Sequence, residues 1–122
     1  MNDEDIKLIE MPEHGSILVC VHIENDEIFQ LGERINAKYE EAYMNGYNWD
    51  AVIRFYVAKV DPQLSGEIAT DPEAGMFSAN MVFSPENLEK MKRFEAHVRK
   101  LLSDEVELFT LIEENRDQIE WD

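Results

Sequence analysis

One cysteine, five glycines, four prolines and eleven lysines and arginines are all that these 122 residues hold of those types. Each scarcity excludes something. With Cys20 alone there is no internal disulfide. Cys20 sits in the apolar run Ile17-Leu18-Val19-Cys20-Val21, where a buried, inert thiol is expected rather than a nucleophile. So few glycines leave no glycine-rich phosphate cradle, and the EF-hand pattern is missing. No apolar run is long enough to span a bilayer. The histidines are His14, His22 and His97. Only His22 shares a strand face with a second donor, Glu24, and zinc takes three or four ligands. No catalytic, cofactor-binding or metal-ligating residue is therefore expected. Carboxylates are so abundant that a pair of them carries no catalytic meaning without a pocket that raises their pKa values.

The carboxylates themselves are the main presence. Twenty-seven acidic residues against eleven basic ones give a net charge of -16. Such a chain repels free nucleic acid and anionic membranes at long range and draws a basic partner. The segment after Leu101 is the extreme: Asp104, Glu105, Glu107, Glu113, Glu114, Asp117, Glu120 and Asp122 are opposed only by Arg116. The start, Met1-Asn2-Asp3-Glu4-Asp5, is acidic and does not fit a secretory signal, so a cytoplasmic location is expected.

A chain of this length predicts one domain over 1–122, burying roughly two-thirds of its unfolded surface. Ile6 to Met11 and Ser16 to Ile23 read as strands joined by a turn at Glu13-His14-Gly15, a hairpin. Ile28, Leu31, Ile35, Tyr39 and Ala42 keep helical spacing from Asn25 or Asp26, and Asn45-Gly46 fits the stop. Asn48 can cap a second helix with the stripe Trp49, Val52, Ile53, Tyr56, Val57 and Val60, ended by Asp61-Pro62. Leu64 to Thr70 reads as a weak strand and Met76 to Phe83 as a stronger one. Between them, Asp71, Pro72 and Gly75 fit a type I turn closed by a left-handed residue. Ser84-Pro85 starts a third long helix running to about Leu102, with Lys90, Lys92, Arg93, Arg99 and Lys100 on its outer face. Ser103 can cap a last helix with Val106, Phe109 and Ile112 inward. The order ββααββαα predicts an α+β fold: a mostly antiparallel sheet of about four strands with helices packed on it. Tyr43, Tyr47, Trp49, Phe55 and Tyr56 cluster around Asn45-Gly46. Trp49 and Tyr56 lie on the core stripe, whereas Tyr47 lies in the loop beside acids, a combination suited to a protein interface.

Two segments carry a resemblance. Asn45-Gly46-Tyr47-Asn48-Trp49-Asp50-Ala51, followed after one helix by Asp71-Pro72-Glu73-Ala74-Gly75-Met76-Phe77, resembles bacterial polymorphic-toxin immunity proteins, and among them the immunity protein 51 family. The likeness covers roughly Tyr43 to Ile112, including the Ser84-Pro85 helix start. It implies a small α+β protein that binds and blocks a cognate protein toxin, a nuclease among the candidates, with neither catalysis nor cofactor. It supplies no established binding residues. On charge and exposure, the expected contacts are Glu105, Glu113, Glu114 and Asp117 near the C-terminus, with Tyr47 and Asp50 at the helix–helix loop. Direct nucleic-acid or membrane binding is not expected, and monomer and homodimer are both open. The other reading is an acidic nucleic-acid mimic or regulator that occupies a different basic protein.

Overall fold

The computed structural model describes residues 3–121. Met1, Asn2 and Asp122, which belong to the acidic start and acidic tail, lie outside them. Strands β1 (Ile6–Met11) and β2 (Ser16–Val21) form the N-terminal hairpin. Helices α1 (Asp26–Lys38), α2 (Gly46–Val60) and the four-residue α3 (Pro62–Ser65) follow. Strands β3 (Ala69–Thr70) and β4 (Phe77–Val82) then precede helices α4 (Pro85–Ser103) and α5 (Glu105–Asn115). The four strands make one sheet in the order β1-β2-β4-β3, every neighbour antiparallel. The fold is α+β, with the expected order of elements apart from the added short helix.

Register divides the sheet into two unlike faces. Ile6 pairs with Val21 and Val21 with Phe77; Leu8 pairs with Val19 and Val19 with Ala79. These residues share the face on which the helices lie, and all but half-buried Leu8 are buried. Helix α4 lies against β1, β2 and β4, and α2 against β4. Phe77 stacks on Phe94 of α4 with ring centroids 6.3 Å apart, and Trp49, Tyr39 and Phe94 are nearly or fully enclosed. Each such side chain contributes about 1.5–3 kcal/mol by leaving water. The other face presents Lys7, Ile9 and Met11 beside Cys20, Leu18 and Ser16, then Ser78, Asn80 and Val82. Ile9 is 39% exposed and Val82 71%, and the described residues leave this face open around them, whereas Cys20 and Ser78 in the Lys7 row are buried.

Local chemistry fixes the boundaries, and several differ from expectation. The β1–β2 connection is a 3-10 turn, Pro12–His14, closed by Gly15 at φ 67, where glycine is favoured. Helix α1 stops at Lys38 rather than at Asn45-Gly46, and residues 39–45 form a loop in which Tyr39 and Ala42 are still buried. Asn45 does not close α1; its side chain accepts from the Asn48 N–H at 2.9 Å and opens α2, displacing Asn48 as the cap. Asp61 ends α2 and starts α3 with Pro62 behind it, so Leu64 is helical and the strand shrinks to Ala69–Thr70. The hairpin turn is centred on Ala74-Gly75, closed by paired Glu73–Met76 backbone bonds, two residues beyond the Asp71-Pro72 site. Gly75 is not left-handed: of the described glycines only Gly15 has positive φ. Asp104 rather than Ser103 caps α5, accepting from the Glu107 N–H. That one-residue shift turns Val106 outward, 78% exposed, and buries Leu108, Leu111 and Ile112.

Candidate partner-binding surface

The two segments that carry the family resemblance meet in space. The Gly46 N–H at the first turn of α2 donates to the Ala74 carbonyl at 2.9 Å. A Cβ on Gly46 would lie 1.6 Å from the Glu73 carbonyl oxygen, so the hairpin tip rests directly on the helix start. Met44, just before, takes a left-handed conformation at φ 56 and packs on Gly32 of α1. This clamp holds two tyrosines outward: Tyr43 is 69% exposed and Tyr47 42%. Trp49 and Tyr56 are buried, as their stripe requires, and Phe55 is half-buried.

Asp50, three residues on from Tyr47 in α2, is buried. Its Oδ2 accepts from Arg54 Nε at 3.0 Å, while its Oδ1 has no partner among the described residues. Tyr47 is therefore open to a partner and Asp50 is enclosed.

The C-terminal acids fall into two groups. Glu105, at the start of α5, takes a two-pronged hydrogen bond from Arg34 of α1, at 3.1 and 2.8 Å. The Arg34 guanidinium pulls its carboxyl below the usual carboxylate range. One helical stretch further on, Glu113, Glu114 and Asp117 line a surface hollow of about 320 Å³ with Glu41 and Arg116. Glu113 accepts from the Tyr39 hydroxyl at 3.1 Å, with Lys38 at 3.9 Å. Arg116 binds both oxygens of Glu41 and lies 4.9 Å over the Tyr39 ring, which draws the Glu41 carboxyl down in pKa. Burial pushes the Tyr39 phenol up, with Glu113 adding to it. Glu113, Glu114 and Asp117 thus share a site; Glu105, Tyr47 and Asp50 do not join it.

A second acidic hollow, of about 410 Å³, has no counterpart in the sequence-derived contacts. Glu4, Asp5, Glu24, Asn25, Asp26 and Glu27 line it, and no lysine or arginine does. The signal lay in Glu24-Asn25-Asp26-Glu27, which as a sequence marks only a helix start. Glu24 links this hollow to the hairpin tip, since a Cβ on Gly75 would lie 2.7 Å from its carboxylate.

Of the basic face expected on α4, Lys90, Arg93 and Arg99 are tied down. Arg93 donates to Asp61 at 2.9 and 3.3 Å, and His97 Nε2 lies 3.0 Å from the same carboxylate. Arg93 first and His97 second hold the Asp61 carboxyl down at about 2. Lys90 pairs with Glu67 at 2.7 Å, and Arg99 binds Glu95 and the Ile6 carbonyl. Cys20 is buried, and that burial raises its thiol pKa. No group of three or more His, Cys, Asp or Glu among the described residues could hold a metal ion.

What the geometry defines is a small acidic α+β domain whose outward features are carboxylate-lined hollows and exposed tyrosines. The family model of immunity protein 51 matches residues 7–117, and the chain belongs to that family. The match reaches beyond the Tyr43–Ile112 resemblance into the N-terminal hairpin and α1. No curated protein and no solved structure matches the chain.

Proposed function

We propose that this chain binds a cognate bacterial toxin in the cytoplasm and neutralises it, without catalysis or cofactor, by covering a basic cleft with its acidic surface. Membership of the immunity protein 51 family supports the immunity role. The observation that carries the mechanism is the net charge of -16, displayed as carboxylate-lined hollows. A cleft that binds nucleic acid is basic, so a nuclease is the toxin class whose field this surface complements best. Glu113, Glu114 and Asp117 supply one cluster of contacts, Glu105 at the other end of α5 a separate one, and Tyr47 supplies an aromatic anchor. Asp50 supports from within by holding Arg54 on the same helix.

Co-expression with the toxin encoded beside this gene tests the role: growth rescue and co-purification are expected, and failure of both overturns it. Stopped-flow association across a salt series tests the steering. The association rate should fall roughly tenfold or more from low to high salt, and a flat profile refutes the electrostatic part.

A further inference from the structure

We infer that the open face of the sheet is a self-association surface on which two copies of this chain pack sheet against sheet. The inference stands apart from the toxin-binding reading. Ile9, Met11, Leu18 and Val82 form its apolar centre, with Ser16 and Asn80 between them. None of these four apolar side chains belongs to the core or packs against it. In a chain of net charge -16, the six residues of this centre carry no charge; Lys7, and Asp71 opposite Ser78, lie at one end of it. That pattern selects the occupant. A basic partner gains nothing from a centre without acids, whereas two copies of an acidic chain repel wherever their carboxylates are apposed. This face lets them meet without that repulsion.

Charge also selects the geometry. Lys7 lies at one end of β1, and Glu13 lies past the other end in the Pro12–His14 turn. A two-fold axis along the strands through β2 would set β1 over β4, with both Lys7 residues at one end of the pair and both Glu13 residues at the other. An axis across the strands sets β1 of one copy antiparallel over β1 of the other and brings each Lys7 toward Glu13 of the second copy. Three full strands cover roughly 20 Å by 14 Å. That is well under the ~800 Å² per partner of a standard interface, so the dimer is weak and concentration-dependent.

Sedimentation equilibrium of the whole chain from about 10 μM to about 1 mM reads this directly. The mean mass should rise with concentration, and rise further at high salt as the net repulsion is screened. Val82→Glu, at a position 71% exposed and hence harmless to folding, should weaken association about tenfold or more by burying a carboxylate in the contact. Lys7→Glu should also weaken it, and Lys7→Glu with Glu13→Lys should restore it. A monomeric mass throughout the series at high salt overturns the proposal, as does association that Val82→Glu leaves unchanged. Failure of the charge swap to restore association overturns the axis. If Val82→Glu abolishes toxin binding by a chain that is monomeric at every concentration, the face belongs to the toxin instead.

Discussion

Replacing Gly46 by alanine probes the clamp between α2 and the β3–β4 hairpin. The added Cβ would sit 1.6 Å from the Glu73 carbonyl oxygen and 2.7 Å from that of Met76. Contact between carbon and oxygen needs about 3.2 Å, so the hairpin tip must retreat by about 1.6 Å rather than adjust by tenths. The tip is not free to do so. Glu73 and Met76 bond each other at 2.7 and 3.3 Å, and Asp71 N–H binds the Ser78 carbonyl at 2.8 Å. Retreat also breaks the bond from Gly46 to Ala74, worth about 1 kcal/mol. Overpacking adds about 1–3 kcal/mol, and the better helix propensity of alanine returns up to about 1. The net cost is about 1–4 kcal/mol, or roughly 4–16 °C in Tm for a chain of this size. Gly66→Ala is the control: its Cβ would find nothing nearer than the Gln63 carbonyl at 3.7 Å, in ordinary right-handed backbone, so it should be neutral or slightly stabilising. Urea unfolding of both variants decides. If Gly46→Ala falls within about 0.5 kcal/mol of Gly66→Ala, the clamp is not rigid and the reasoning fails.

Three further outcomes follow from the packing and the charge pairs. Asp61→Asn should cost about 1 kcal/mol at neutral pH, less than the full pKa shift implies because Arg93 is half exposed to solvent. Asp61 has a folded pKa of about 2 against an ordinary 3.8, so its contribution is complete above the higher value and fades as pH falls through the lower. The stability gap between the two proteins should therefore narrow from pH 4 toward pH 2, and a gap that stays constant across that range in urea titrations refutes the pairing. Phe77→Ala empties a fully buried site stacked on Phe94 and should cost about 3–5 kcal/mol by calorimetry, with under 1.5 kcal/mol counting against the packing. Cys20 should react with a thiol reagent far more slowly in the folded chain than in urea, and equal rates would show that the strand does not shield it.

Long-range order was more legible in the sequence than local boundaries. Periodicity carried the order of elements because burial imposes it: Phe77, Ala79 and Met81 alternate on one sheet face, and Ile28, Leu31 and Ile35 recur on one helix face. Asn45-Gly46 misled because asparagine and glycine serve at both ends of helices. Only the packing of Met44 on Gly32 and of Gly46 on Glu73 assigns the pair to the start of α2. Asp61-Pro62 likewise ends one helix and opens the next with the same two residues. Ser103 and Asp104 are both good caps, and the choice rotates the following helix enough to exchange Val106 for Leu108 at the core. Family membership was legible from the two segments, and their order and separation reflect a contact between them. The acidic hollow at Glu4, Asp5 and Glu24 was not legible, because it is assembled from a strand entry and a helix entry that only the fold brings together.

The bond from Gly46 to Ala74 also sets how the protein opens. The hairpin tip cannot lift without exposing the first turn of α2, and α2 cannot fray from its start without releasing the tip. Segments 27 or more positions apart thus form one cooperative unit. In native-state hydrogen exchange, the amides of Gly46 and Met76 should show the same opening free energy and the same response to urea. A terminal helical turn on its own would exchange sooner.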